Sequence, residues 1–177
     1  MKSFKIGVLS DTHKRGDLQD IAIDFLKEEG ANYLLHLGDF ESVKNLENLA
    51  NSNLPYAAVF GNNDYNLKGL ESRFKIDKEP YYLKIKNTTI KMMHLPYYLS
   101  GDCDIVLFGH LHKFSVEFKN NTLFLNPGEI CAREKNLSEC AIIEVFDNRY
   151  IVKYYYRVPN SPVWELKEYI FLKEMRV

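Results

Sequence analysis

The sequence predicts a four-layer α/β/β/α sandwich, in which two mixed β-sheets are flanked by helices. Strand-like and helix-like segments alternate up to about residue 60, which is typical of parallel strands joined by crossover helices. After Pro80 the chain changes to apolar runs separated by turns, which is typical of antiparallel or mixed strands. The early runs are nearly continuous in apolar residues and the later ones partly alternate, as expected if two sheets pack face to face with helices outside.

The first half of the chain predicts three strands and two intervening helices. Within residues 17–29, apolar side chains recur on one helical face, and Gly30 ends the pattern. Pro55 stands just before the third strand. The predicted elements are a strand at 4–9, a helix at 17–29, a strand at 33–37, a helix-like segment at 41–50 and a strand at 56–60.

The second half predicts strands without helical crossovers. Asn120-Asn121 and Asp147-Asn148 mark tight turns, because these residue types tolerate positive φ. The tail after Pro159 interleaves charged and apolar residues, and it is predicted to be either a final helix or an arm. The predicted strands cover residues 81–86, 89–94, 104–108, 115–118, 122–125, 140–146 and 150–156.

Length and charge narrow the classes of protein to consider. The 177 residues predict a single domain, 1–177, with one sizeable core. With 23 basic and 24 acidic residues the net charge is -1, so no overall field attracts nucleic acid or an anionic membrane. No apolar stretch approaches the roughly 20 residues that span a bilayer, and the first residues enter a strand. The expected location is cytoplasmic.

The cysteines and tyrosines have structural explanations. Three cysteines without C-x-x-C spacing favour reduced, packed thiols over disulfides or a thiolate zinc site: Cys103, Cys131 and Cys140. Consecutive tyrosines on a strand face opposite ways, so some rings must reach a surface. Alternation on a sheet edge and a homodimer contact are both consistent with Tyr81-Tyr82, Tyr97-Tyr98 and Tyr154-Tyr155-Tyr156.

Four polar clusters carry the chemistry, and each directly follows a predicted strand. They are Ser10-Asp11-Thr12-His13, Gly38-Asp39, Gly61-Asn62-Asn63-Asp64 and Gly109-His110-Leu111-His112. In an extended chain, residues i and i+2 project to one side, so Asp11 and His13 can converge, as can His110 and His112. Each cluster alone is equally consistent with a solvated loop or a turn. Together they predict a two-metal hydrolytic site at strand ends.

In this order, and followed by Asn126-Pro127-Gly128, the motifs resemble those of the calcineurin-like metallophosphoesterase superfamily. The short chain resembles the small prokaryotic phosphodiesterases of that superfamily, over about residues 5–128. The resemblance implies a phosphodiesterase in which a metal-bridging hydroxide attacks the phosphodiester in line. It also implies two divalent metal ions. Mn is favoured, and Ni, Fe, Co, Zn and Mg are alternatives that the sequence does not separate.

The resemblance also implies a ligand set. The first metal would be held by Asp11, His13, Asp39 and His112, and the second by Asp39, Asn62, His94 and His110, with Asp39 as the bridge. His94 lies between Met93 and Leu95 rather than beside the glycine that is usual in the family, so a packed strand histidine is the alternative. His36, inside a predicted strand, is assigned to packing or to hydrogen bonding behind the ligands.

Asn63 departs from the family pattern, since many relatives carry histidine there. The relatives' histidine is thought to stabilise the phosphoryl group or protonate the leaving oxygen. Asn63 has no titratable proton, although it can hydrogen-bond a phosphoryl oxygen. The expected substrates are therefore diesters of acidic alcohols or phenols. Asp64, an orienting partner of that histidine in relatives, is expected here to cap a turn or accept hydrogen bonds.

Two other functions compete with this interpretation. A protein of the same fold could act as a non-catalytic binding scaffold, as in retromer-type relatives, but the complete ligand set argues against it. A zinc amidohydrolase using His110 and His112 is disfavoured, because those enzymes resemble barrels with the H-x-H motif near the first strand. The expected partner is a small phosphodiester substrate. Dispersed basic residues predict no nucleic-acid stripe, and no membrane contact is expected.

Overall fold

The computed structural model describes residues 3–174 and contains two mixed β-sheets, as predicted. Helices α1 (Gly16–Glu28) and α2 (Val43–Ala50) and a 3-10 helix (Tyr65–Leu67) complete the regular structure. The strands are β1 (Phe4–Leu9), β2 (Tyr33–His36), β3 (Tyr56–Val59), β4 (Ile76–Asp77), β5 (Tyr81–Ile85), β6 (Thr88–Met92), β7 (Ile105–Leu107), β8 (Ser115–Lys119), β9 (Thr122–Asn126), β10 (Ser138–Val145), β11 (Arg149–Arg157) and β12 (Glu165–Leu172).

The larger sheet has the strand order β12-β11-β10-β1-β2-β3-β4. Strands β1 to β4 are parallel, as the early strand and helix alternation predicts, and β10 to β12 continue the sheet antiparallel. The smaller sheet has the order β5-β6-β7-β9-β8, with β6, β7 and β9 parallel. Each sheet therefore has a parallel centre, whose strand ends can present side chains to a common crevice.

Two apolar cores hold the layers together. The core between the sheets contains alternate residues of the central strands, among them Ile6 and Val8 of β1 and Ile90 and Met92 of β6. The second core lies between the larger sheet and the helices, where Leu26 of α1 is fully buried. Because both faces of β1 are covered, its sequence is almost continuously apolar.

The outer face of the smaller sheet is covered by a loop. Both α-helices within residues 3–174 pack on the larger sheet, whereas the chain from β6 to β7 crosses the outer face of the smaller sheet as a loop. The ammonium group of Lys91, whose side chain is fully buried, holds this loop by donating to Tyr98 O at 2.8 Å and Ser100 O at 3.0 Å. The same ammonium group pairs with Asp102 Oδ1 at 2.5 Å, so the buried charge of Lys91 is compensated.

The tail after Pro159 is a strand rather than a helix or an arm. Strand β12 pairs antiparallel with β11 along its whole length and forms the edge of the larger sheet. Tyr169 and Phe171 pack against the core between the sheets, while Ile170 and Leu172 remain exposed on the other face. Apolar residues on both faces removed the alternation that would have predicted a strand.

The cysteines and most tyrosines lie as expected. Cys131 and Cys140 are buried and Cys103 is half-buried, and all three are free thiols. Tyr154 stacks on Phe114, and Tyr155 packs in the helix-side core, so the two rings face opposite ways. No helix among residues 3–174 is long and apolar enough to cross a membrane.

Candidate metal centre

The segments that carry the predicted site residues meet at one edge of the sandwich. They follow β1, β2 and β3 of the larger sheet and β6 and β7 of the smaller one. Within the larger sheet, Asp11 N donates to Gly38 O at 3.0 Å; within the smaller, Gly109 N donates to His94 O at 3.1 Å. Across the sheets, His94 Nδ1 lies 2.7 Å from Leu37 O. Contacts of the backbone therefore fix the crevice between the parallel strands of the two sheets.

Five of the candidate ligands stand on left-handed backbone. Their φ angles are 56° for Asp11, 49° for His13, 60° for Asp39, 66° for His110 and 51° for His112. This region is uncommon for residues other than glycine, and such residues concentrate at functional sites. The close approach also needs glycine, since a Cβ on Gly61 would lie 2.1 Å from Asp39 Oδ1. The backbone at these five residues is therefore locally strained, and this conformation directs their side chains into the crevice.

Asp11, His13 and His112 form one side of the centre, here called the acidic half. His112 Nε2 lies 3.1 Å from Asp11 Oδ1 and 3.3 Å from His13 Nε2. His13 Nε2 lies 3.7 Å from Asp39 Oδ2, which connects this half to the predicted bridge. All four side chains are buried.

Asn62, His94 and His110 form the other side, here called the neutral half. His94 Nε2 lies 2.9 Å from Asn62 Oδ1 and 3.4 Å from Asp39 Oδ2. The ring of His110 stands 5.2 Å from that of His94, centroid to centroid. His94 lies two residues beyond the end of β6, and its Nε2 faces Asn62 in the crevice, so the alternative of a histidine packed within a strand does not describe it.

The rings of three histidines are oriented by contacts at Nδ1. His13 Nδ1 lies 2.8 Å from Glu41 Oε1, His112 Nδ1 contacts Glu129 Oε2, and His94 Nδ1 faces a backbone carbonyl. A neutral imidazole that donates from Nδ1 carries its free lone pair on Nε2. All three Nε2 atoms face the crevice, which is the arrangement found when histidines bind metals.

The donor set fits divalent cations. Oxygen and imidazole nitrogen ligands suit first-row divalent metals, and no thiolate lies among the predicted ligands. Asp11 Oδ1 is buried yet has no hydrogen-bond partner, while Asp11 Oδ2 accepts from Ser10 Oγ at 2.5 Å. A buried carboxylate oxygen without a donor is costly unless a cation satisfies it. The unpaired oxygen faces His112 Nε2, so it points to where a cation would bind.

The charged groups of the centre favour the binding of positive charge. Burial lowers the pKa of His112, but contacts with Asp11, Cys131 and Glu129 outweigh burial and raise it to about 11. Burial likewise raises the pKa of Asp39, but contacts with His94 and Asn63 outweigh it and hold the pKa well below its usual range. The Asp39 carboxylate thus stays ionised, and a cation can neutralise its charge.

The centre opens into a cavity of about 540 Å³. Asp39, Asn62, His110 and His112 line the cavity. Its lining also includes the exposed residues Lys113, Arg133 and Glu134, and the two cations among them favour an anionic ligand.

Residues 4–148 match the calcineurin-like phosphoesterase superfamily domain. The chain belongs to this superfamily. A curated phosphodiesterase from Methanocaldococcus jannaschii is 28% identical over 159 residues, which cover 82% of this chain and 96% of the relative. The predicted superfamily is therefore confirmed.

Two solved structures share the fold. An archaeal phosphodiesterase matches with a TM-score of 0.67 and 24% identity, covering 95% of this chain and 100% of the other. Vacuolar protein sorting 29 from Cryptosporidium parvum matches with a TM-score of 0.76 and 21% identity, covering 97% and 99%. At these sequence identities, the two matches show that the fold is shared.

Asn63 lies against the predicted bridge of this calcineurin-like site. Its backbone N–H donates to Asp39 Oδ1 at 2.9 Å, and its side-chain Nδ2 donates to Asp39 Oδ2 at 2.7 Å. The amide therefore orients the carboxylate of Asp39. The same half-buried side chain lines the cavity, where a substrate would pass.

Asp64 holds the loops of the site together. Its Oδ1 accepts the backbone N–H groups of Phe40 and Glu41 at 2.7 and 2.8 Å, and its Oδ2 accepts those of Asp39 and Gly61 at 2.8 and 2.7 Å. With both oxygens engaged, the buried carboxylate is a positioning residue for Asp39. This placement agrees with the expected role as an acceptor behind the ligands.

His36 is a buried neutral histidine, as expected. It stacks on Phe40, and burial lowers its pKa to about 3. Its Nδ1 accepts from Gly38 N at 3.2 Å, and Nε2 lies 2.8 Å from Thr12 Oγ1. Both ring nitrogens are engaged, so His36 supports the loops at the site without pointing into it.

Sequence reasoning missed the acidic residues behind the histidines. Glu41 and Glu129 contact His13 and His112, and Glu79 accepts the backbone N–H groups of His94 and Leu95 at 2.5 and 2.8 Å. Glu129 directly follows Asn126-Pro127-Gly128, and this position was the one signal available for it. Burial raises the pKa of the nearby Cys131, so its thiol is an S–H donor to Glu129.

Proposed function

We propose that this chain is a dinuclear-metal-dependent phosphodiesterase that hydrolyses small phosphodiesters. The convergence of carboxylate, imidazole and amide donors around Asp39 carries the proposal. When bound, two divalent cations clamp a phosphate, activate water and neutralise the charge of an in-line displacement. Mn is the first ion to test, with Ni, Fe, Co, Zn and Mg as alternatives. The first ion would be held by Asp11, His13, Asp39 and His112, and the second by Asp39, Asn62, His94 and His110.

The surrounding residues bind and orient the substrate. Lys113 and Arg133 favour the entry of an anionic ester into the cavity. Asn63 keeps Asp39 in place, and its amide can also donate to a phosphoryl oxygen at the mouth of the site. Asn63 supplies no titratable proton, so the preferred leaving groups are acidic alcohols or phenols, which depart as anions without protonation.

An activity screen tests the proposal. Purified protein is assayed with bis-p-nitrophenyl phosphate and p-nitrophenyl phosphate, each in the presence of Mn, Ni, Mg or Zn. The expected result is metal-stimulated hydrolysis that favours the diester and disappears on chelation. Hydrolysis that is unaffected by chelators, or absent with every metal, would contradict the proposal.

A non-catalytic binding scaffold is the second candidate, and the fold shared with vacuolar protein sorting 29 favours it. Asp11, Asp39 and His94 converge within reach of a single ion, and a scaffold does not require such a group of buried donors. Under this alternative the protein would bind no metal at stoichiometric level and hydrolyse neither ester. The same screen, read together with the metal content, therefore separates the two functions.

The expected location and partners belong to the same proposal. The cytoplasmic location can be tested by cell fractionation. A small phosphodiester partner without nucleic-acid binding predicts that duplex DNA does not inhibit the esterase. A homodimer can be tested by light scattering at several protein concentrations, where a mass of about 20.7 kDa would indicate a monomer.

A further inference from the structure

The carboxylate of Glu129 is buried and receives four donors. Its Oε2 accepts from His112 Nδ1 and, at 3.3 Å, from the thiol of Cys131. Its Oε1 accepts the backbone N–H groups of Glu134 at 2.7 Å and Lys135 at 3.2 Å. The residue has no exposed surface. A buried carboxylate in such a closed set of hydrogen bonds holds its partners in one geometry.

We propose that Glu129 is a positioning residue, which fixes the ring of His112 for metal binding; this inference rests on the proposed function. The contact at Nδ1 selects the tautomer whose lone pair is on Nε2. That atom lies 3.1 Å from Asp11 Oδ1, so it faces the carboxylate of another candidate ligand. Glu129 thus orients one ring nitrogen toward the acidic half of the centre.

The same carboxylate connects the metal centre to the wall of the cavity. The backbone that Glu129 holds belongs to Glu134 and Lys135, and both residues line the cavity. Lys135 in turn donates from Nζ to His112 O at 2.7 Å. The ring of His112 and the loop opposite it are therefore held by one side chain, so their positions are coupled.

Glu129→Gln is the informative substitution. Glutamine has one acceptor oxygen, so it can accept a hydrogen bond either from His112 or from the backbone of Glu134 and Lys135. Its NH₂ group would then face the remaining donors. We expect Mn²⁺ binding, measured by isothermal titration calorimetry, to weaken by about 10- to 100-fold. The readout is metal affinity and does not depend on hydrolysis.

Glu139→Gln is the matched control. Glu139 is equally buried and also holds this loop, through Lys135 Nζ at 2.6 Å and Glu129 N at 3.1 Å, but it contacts none of the candidate ligands. The melting temperature should fall in both variants, whereas Mn²⁺ affinity should fall only in Glu129→Gln. Equal affinity losses in the two variants, or none in Glu129→Gln, would overturn the positioning role.

The experiment separates this inference from the proposed function. If wild-type protein binds two Mn²⁺ ions and Glu129→Gln binds them equally well, only the inference on Glu129 fails. If wild-type protein binds no Mn²⁺, Zn²⁺ or Ni²⁺, the proposed function fails and the inference fails with it. If Glu129→Gln does not fold, Glu129→Asp provides the second variant, because its shorter carboxylate cannot reach His112 and the loop together; it is expected to show the same selective loss of affinity.

Discussion

The two halves of the candidate metal centre share Asp39 but differ in what stands behind their histidines. In the acidic half, both Nδ1 atoms contact carboxylates, those of Glu41 and Glu129. In the neutral half, the Nδ1 atom of His94 faces the backbone carbonyl of Leu37. The candidate ligands differ in the same way, because the acidic half is assigned an additional aspartate and the neutral half an asparagine.

This difference indicates unequal affinity for the two ions. A carboxylate behind an imidazole makes the ligand more basic and adds negative charge near the cation, whereas a carbonyl supplies only a dipole. Buried charges are screened less than exposed ones, so the effect persists at physiological salt. We therefore expect the acidic half to bind its ion more tightly than the neutral half.

The largest effect is expected when both halves lose their shared ligand. Asp39→Asn removes the charge that both ions need, so hydrolysis of bis-p-nitrophenyl phosphate should fall to the background rate. Asp147→Asn, an exposed substitution in the turn between β10 and β11, is the control and should be fully active. An Asp39→Asn variant that keeps both ions and its activity would remove the basis for a shared bridge.

Single histidine substitutions test the inequality of the halves. His94→Ala should retain one tightly bound Mn²⁺ per chain, whereas His112→Ala should lose the tight site. Calorimetry should show affinities that differ by at least about tenfold, because additional attraction of about 1.4 kcal/mol gives that factor. Identical titrations of the two variants would show that the halves are equivalent.

A histidine at position 63 tests how the missing acid limits the chemistry. Asn63→His should raise kcat/KM for esters with poor leaving groups by about 10- to 100-fold, since a general acid contributes at least that much when well placed. Asn148→His, at an exposed position in the turn before β11, is the control. The comparison is made across diesters with alcohols of graded pKa, and an unchanged dependence on leaving group would count against this role.

The smallest effect is expected at Glu41. Its side chain is 23% exposed, so water can replace part of its contact with His13. Glu41→Gln should weaken Mn²⁺ binding by less than about tenfold, below the usual range for a carboxylate behind a ligand. The two variants, Glu41→Gln and Glu129→Gln, are compared by calorimetry. A larger loss of Mn²⁺ affinity in Glu41→Gln would contradict the argument that the more buried carboxylate contributes more to metal binding.

The convergence of the ligands could be predicted from the sequence because each motif directly follows a strand or lies just beyond its end. Asp11 and His13 stand after β1, and the order of strands in a parallel sheet brings their ends to one crevice. The carboxylates behind the histidines could not be predicted in this way. Glu129 acquires its role only when residues 129–135 fold around its carboxylate, and no spacing in the sequence encodes that loop.

The fold, like the metal centre, could be predicted from the sequence only in part. Periodic apolar patterns predicted the elements of both cores, whereas β12 and the loop over the smaller sheet were missed. In β12, Ile170 and Leu172 are exposed beside the half-buried Tyr169 and Phe171, so apolar residues on both faces hide the period of two. The loop depends on Lys91, a charged residue whose burial is decided by tertiary hydrogen bonds.

A calorimetric titration of metal-free protein with Mn²⁺ decides whether the centre binds a pair of metal ions, because it counts the ions without requiring a substrate. We predict two ions per chain, bound in two distinguishable steps, and no stoichiometric binding in Asp39→Asn. A wild-type titration without stoichiometric binding of Mn²⁺, repeated with the same result for Zn²⁺ and Ni²⁺, would contradict this prediction.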